Sequence, residues 1–146
     1  MTGDAAGPSW PTASPPPAGP ALRWELGDVA ELPRVRADVR RHVTATGSLG
    51  DRAADLLDQL VLTLDEMASN ALRHGGGRVE AAVRTTGDAF LVEVSDQAAH
   101  RPPVPAVDRD PSEGGLGLYL IAELATEHGW YVRDGCKHVW ALLRRG

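Results

Sequence analysis

The 146-residue chain has one cysteine, and it has no apolar run of the length that a membrane-spanning helix requires. Cys136 alone can form neither an internal disulfide nor a cysteine-rich metal site, so a reducing cytoplasm is the expected setting. No nucleophile motif surrounds it, and it reads as a small residue in or beside a strand. Lysine is equally scarce, with Lys137 the only one, so nearly all positive charge is arginine. Positive charge is also in deficit. The formal net charge of -5 argues against nucleic-acid binding, where a basic face supplies the affinity. No basic start precedes an apolar segment, so a signal peptide is not expected, and with no span-length apolar run the protein is expected to be soluble.

What is present begins with residues 1–20, MTGDAAGPSWPTASPPPAGP, rich in Pro, Ala and Gly and without a periodic apolar face. Such a segment cannot bury enough apolar surface to offset the entropy of ordering it. It reads as a disordered or polyproline-like tail, followed by one domain over residues 21–146. The chain is long enough for one hydrophobic core.

Within that domain the periods change along the chain. Ala21 to Leu26 alternates, with Leu22, Trp24 and Leu26 on one side, and predicts a strand. Leu32 to Ala45 carries Val35, Val39 and Val43 at helical spacing and stops near Gly47. His42 in that helix reads as a surface residue. A long helix is predicted from Asp51 or Ala53 to His74, with Leu56, Leu57, Leu60, Leu64, Met67 and Leu72 forming its buried stripe and Leu62, Ala68 and Ala71 extending it. Strands follow at Arg78 to Thr85 and Phe90 to Ser95 around a Gly87-Asp88 turn. Asp96 to Glu113, full of Pro, Asp and Arg, reads as a long functional loop. Gly114 to Gly129 predicts a third helix through Leu118, Ile121, Ala122 and Ala125, and Trp130 to Arg133 and His138 to Leu143 a hairpin through Asp134-Gly135. This order lacks regular strand-helix-strand alternation and predicts an α/β, or α+β, two-layer sandwich. Its sheet would be mixed and mostly antiparallel, with three helices on one face.

The long helix also carries the first candidate site. Glu66, Asn70 and His74 recur every four residues, so one margin of the helix presents a carboxylate, an amide and an imidazole about 6 Å apart. Asn is a mediocre helix former, which makes a mid-helix Asn a residue in need of a reason. His74 is followed by Gly75, Gly76 and Gly77, a helix end with a glycine for the left-handed cap position. Two further segments carry chemistry: VSDQAAH, with Asp96 at a strand end, and EGGLGLYLIAELA, with Gly114, Gly115 and Gly117 at a helix start. Free backbone amides and the helix dipole at such a start favour an anion.

In order and spacing the three segments resemble the GHKL (Bergerat) ATP-binding fold, and in particular the bacterial anti-sigma-factor serine kinases. The resemblance runs from about Leu22 onward and includes the closing KHVWALL. It implies ATP and Mg²⁺ as cofactors, with Asn70 holding the metal through its side-chain oxygen and Glu66 acting as general base. It also implies Asp96 as the carboxylate that accepts the adenine amino group. Around the phosphates it implies the backbone of Gly114, Gly115, Leu116, Gly117 and Leu118, with Arg73 and His74 at the edge. The sparse metal site suits Mg²⁺, which keeps several waters and binds largely through phosphate oxygens.

The implied function is a regulatory protein serine kinase that phosphorylates an anti-sigma-factor antagonist, sequesters a sigma factor and forms a homodimer. Two departures stand out. The family's first glycine box has glycines after the aspartate, whereas this chain has Gln97-Ala98-Ala99-His100. On the last strand, His138 stands where the family often has Thr near the adenine. They favour, as the alternative, a non-catalytic nucleotide-binding regulator whose lid, Ala98 to Glu113, controls a protein interface. A histidine kinase fragment is not expected, since no dimerisation and phosphoacceptor helix pair precedes the domain.

Overall fold

The computed structural model describes residues 10–19, 21–46, 53–75, 77–86, 89–101, 103 and 116–144. Strands β1 (Ala21–Leu26), β2 (Val79–Thr86), β3 (Ala89–Asp96), β4 (Glu127–Arg133) and β5 (Cys136–Arg144) form one sheet in the order β1-β2-β3-β5-β4. Every strand pair is antiparallel. Outside the named strands, Thr12 and Trp130 form an isolated parallel bridge. Helices α1 (Leu32–Thr46), α2 (Ala53–His74) and α3 (Leu116–Leu124) complete the α+β fold. The helices pack on one side of the sheet.

Alternation along the strands decides what meets the helices. Trp24, Leu26, Val79, Ala81, Val83, Phe90, Val92, Val94, Val139, Ala141 and Leu143 point inward and join one core with the apolar stripes of the helices. From α1 this core receives Val35, Val39 and Val43, and from α2 Leu56, Leu60, Leu64, Met67, Ala68 and Ala71. Leu62, expected to extend the stripe of α2, is instead 41% exposed; the buried margin runs through Val61 and Thr63, whose hydroxyl donates to the Gln59 carbonyl at 2.7 Å. Arg36 to Asp65 and Arg40 to Asp58 tie α1 to α2, and the Trp24 indole donates to Asp38 at 2.9 Å to tie β1 to α1.

The start of α1 carries a signal that periodicity does not reveal. Asp28 accepts from the Ala30 amide while Glu31 reaches back to the amides of Gly27 and Asp28, a capping box around a single 3-10 turn, Val29–Glu31. The Asp-x-x-Glu spacing was available in the sequence.

Two expectations need correction. Residues 10–19 do not behave as a tail outside the core. Trp10 is 5% exposed within it, edge-on to His128, and the segment then bonds along the outer edge of β4 through Ala13 N–H to the Trp130 carbonyl and Trp130 N–H to the Pro11 carbonyl. Ala13 and Ala18 pack on a small apolar cluster of Ala89, Leu91, Trp140 and Leu142 on the outer sheet face, and Gly19 N–H reaches the Thr85 carbonyl. A proline-rich segment can do this because it needs no ladder of its own: two edge bonds and Trp140 donating to the Ala13 carbonyl at 2.8 Å suffice. Residues 1–9 lie outside the described residues.

The third helix is also shorter than its pattern. It ends at Leu124, and Glu127–Gly129 join β4 because Gly129, with no Cβ, fits under Trp140, whose ring would be 3.0 Å from a Cβ there. The Asp134-Gly135 hairpin formed as expected, with φ of 54° and 76°, both in the left-handed region that a tight two-residue turn demands. The Gly87-Asp88 turn lies outside the described residues.

Candidate functional site

The candidate site gathers around the C-terminal half of α2. Glu66 and Asn70 are both half-buried, one turn apart on the same margin, and His74 is exposed a turn further on. The adjacent acids take different tasks. Asp65 is tied to Arg36 on α1, whereas Glu66 makes no hydrogen bond or ion pair with a described residue. Burial pushes the Glu66 carboxyl above the usual range and the neighbouring Asp65 adds to this, while Arg73 pulls the other way. Arg73 is exposed and donates to the Ser69 hydroxyl at 3.1 Å. No described residue hydrogen-bonds the Asn70 amide.

Asp96 ends β3 on the helix side of the sheet, in line with Phe90, Val92 and Val94. It is 3% exposed and lies against the end of α2. A Cβ on Gly75 would meet its carboxyl carbon at 2.6 Å and the Ala71 carbonyl at 2.7 Å. Next door, a Cβ on Gly77, whose φ is 71°, would overlap the Gln97 side chain. The glycine run after α2 therefore does more than end a helix. It lets the strand end bearing Asp96 and Gln97 close onto α2, about 7 Å along the axis from Asn70.

One partner of Asp96 was not expected. Opposite it in the β3–β5 register stands Lys137, 5% exposed, with its ammonium 3.5 Å from the Asp96 carboxylate and donating to the Arg101 carbonyl at 2.9 Å. The other carboxylate oxygen accepts the Ala98 amide at 2.8 Å. A sole lysine in an arginine-rich chain was the available signal; its pairing depends on strand register.

His138 is not brought to this site. Val139, Ala141 and Leu143 commit one side of β5 to the core, so His138, Trp140 and Leu142 face away from the helices. There His138 stacks on Tyr131, with ring centroids 4.7 Å apart, and both bond Glu93, at 2.9 Å from His138 and 2.6 Å from Tyr131. Burial works to raise the Glu93 carboxyl, but the bonds from His138 and Tyr131 overcome it and hold the group below the usual range. Burial, then the bond to Glu93, pushes the Tyr131 hydroxyl up to about 12. Of the remaining expected residues, Gly114 and Gly115 lie outside the described residues, as does most of the Ala98 to Glu113 loop. Leu116 and Gly117 open α3, and Leu118 is buried in the core at 2% exposure.

A family model, the histidine kinase-like ATPase domain, matches residues 28–143. The chain belongs to this family. A search of curated proteins found no match to it. The histidine kinase-like ATPase domain spans β2 through β5 and all three helices, and membership implies ATP binding as its basic capacity. No described helix is long and apolar enough to cross a membrane.

The donor set can be tested against the expected metal. Among the described residues, no group of three or more His, Cys, Asp or Glu could hold a metal ion. A single amide oxygen, completed by phosphate oxygens and water, is a set that Mg²⁺ accepts. Asn70 fits that description.

Proposed function

We propose that this histidine kinase-like ATPase domain is a regulatory protein serine kinase of the anti-sigma-factor type, taking Mg-ATP along the C-terminal half of α2. The observation that supports it best is the state of Glu66. This carboxylate is half-buried, lacks a bonded partner among the described residues, has its proton affinity raised, and lies one turn from an amide oxygen that no described residue bonds. Those are the requirements of a general base beside a metal-bound phosphate.

In the reaction, Asn70 would hold Mg²⁺, which supplies charge neutralisation on the phosphates when bound. Glu66 takes the proton from the attacking serine hydroxyl as the oxygen forms its bond to the γ-phosphorus and the bond to ADP breaks. Asp96 would accept the base amino group at the far end of the pocket. Arg73, two turns further along α2, would meet negative charge that develops on transfer. The protein substrate would be an anti-sigma-factor antagonist, with a sigma factor as the competing partner and a homodimer as the working form. Phosphorylation then switches partners by adding charge at one interface.

Radiolabelled γ-phosphate transfer to candidate antagonists tests the reading, comparing the native chain with Glu66→Gln. Loss of transfer with ATP binding retained is expected; undiminished transfer removes Glu66 from the mechanism. Asn70→Ala should lose the Mg²⁺ dependence of nucleotide affinity in calorimetry, and an unchanged dependence counts against the metal assignment.

A second reading, a nucleotide-binding regulator without catalysis, is favoured by one observation: the Asp96 carboxylate already faces Lys137. Binding of Mg-ATP without transfer to any partner would support it.

A further inference from the structure

We propose that Lys137 is a built-in occupant of the base subsite, so that a purine amino group reaches Asp96 only by displacing the ammonium. The proposal rests on the reading of Asp96 as the base-recognising carboxylate and concerns how that subsite is controlled.

Asp96 is enclosed by short contacts. One oxygen is held by the Ala98 amide at 2.8 Å, the other faces Lys137 at 3.5 Å, and the Gly75 backbone closes a third side so tightly that a methyl group there would overlap the carboxylate. An adenine amino group needs an open lone pair on that carboxylate. The ammonium stands where one would be offered. It is fixed there by β5, since Lys137 faces Asp96 directly across the β3–β5 ladder, and by its own bond to the Arg101 carbonyl at 2.9 Å.

That last bond gives the arrangement a second consequence. Residues 97–101 leave β3 over the subsite, and Lys137 pins their far end by the Arg101 carbonyl while Asp96 pins their near end by the Ala98 amide. One side chain therefore holds both the carboxylate and the segment beyond it. Displacing the ammonium frees two acceptors at once, so base binding and release of the 97–101 segment are coupled. Competition is feasible because lysine is a point charge on a flexible stem and can swing away, which a bidentate arginine in the same place would resist.

The chain supplies its own reporter. Lys137 is its only lysine, so an amine-selective acylating reagent followed by peptide mass spectrometry reads this side chain without interference from another. In the free protein the buried ammonium should label slowly; with Mg-ATP bound, labelling should accelerate about tenfold or more. In parallel, Lys137→Met should bind ATP about 10- to 100-fold more tightly than the native chain, the range for one hydrogen bond to a charged group. The gain should be absent for inosine triphosphate, which lacks the amino group, and should vanish in the double variant Asp96→Asn/Lys137→Met.

Unchanged or reduced labelling with ATP bound, or a folded Lys137→Met that binds ATP no tighter, overturns the proposal while the nucleotide reading stands. Failure of both the native chain and the folded Lys137→Met variant to bind ATP overturns the nucleotide reading, and the proposal with it. ATP binding by Lys137→Met alone supports both. The labelling uses the unaltered chain, so it decides the question even where Lys137→Met does not fold.

Discussion

Replacing Trp10 by alanine tests whether the proline-rich N-terminal segment is part of the fold. A buried tryptophan removes about 150–250 Å² from water, worth roughly 4–6 kcal/mol at about 25 cal/mol per Å², an upper value because unfolded chains are partly compact. Against this stands the indole Nε1, which is buried without a hydrogen-bond partner among the described residues. An orphaned N–H costs about 1–3 kcal/mol, and the substitution abolishes that penalty together with the ring. The net loss should be about 1–5 kcal/mol. The loss should also be local in its consequences: with the anchor gone, the edge bonds of Ala13 and Trp130 open, and Trp140 loses its bond to the Ala13 carbonyl. Urea titration by circular dichroism gives the energy, and amide exchange at Ala13 and Trp130 gives the location. A destabilisation below about 1 kcal/mol with both amides still protected would refute the reasoning.

Three other outcomes follow from single features. Because burial raises the Glu66 carboxyl, the transfer rate should rise with pH through a limb above the usual glutamate range, and Glu66→Gln should abolish that limb along with about 10²–10⁴ of the rate. Glu93 is lowered in the folded state, so its stabilisation is present above the ordinary glutamate range and is lost as pH falls through the lowered value. Tyr131 is raised to about 12, so its contribution holds below the ordinary tyrosine value of about 10 and is lost as pH rises toward 12; Tyr131→Phe should remove this alkaline limb from a plot of melting temperature against pH. Gly75→Ala places a methyl 2.6 Å from the Asp96 carboxylate and 2.7 Å from the backbone oxygen of Ala71; since a backbone atom cannot swing aside, chemical denaturation should show a loss of about 1–3 kcal/mol, and an unaffected midpoint would count against the close approach of β3 to α2.

The parts of the fold and site that could be read from the chain are those with a short period. Val35, Val39 and Val43 mark α1, Val79, Ala81 and Val83 mark β2, and in each case the residues singled out are the ones found buried. The margin of Glu66, Asn70 and His74 was legible for the same reason, being fixed by the helix repeat alone. Trp10 was not, because a proline-rich segment has no period and its burial depends on an edge and an outer sheet face made by strands distant in the chain. The end of α3 was not, because Ala125 continues the helical spacing while Gly129 is claimed by the demand of Trp140 for room.

By itself the sequence determined the elements, the inward stripe of each, and the helix margin that pairs a carboxylate with an amide, since these depend on contacts within a few residues. Only the tertiary structure decided which of two adjacent residues on β5 meets Asp96. Strand register turns Lys137 toward the helices and His138 away, a one-residue difference that sends the imidazole to Glu93 and Tyr131 and the ammonium to the carboxylate. It also decided that Asp65 is tied to α1 while Glu66 has no bonded partner among the described residues, because that division depends on where Arg36 arrives from a different helix. Pairings of this kind join positions far apart in the chain, so no local pattern encodes them.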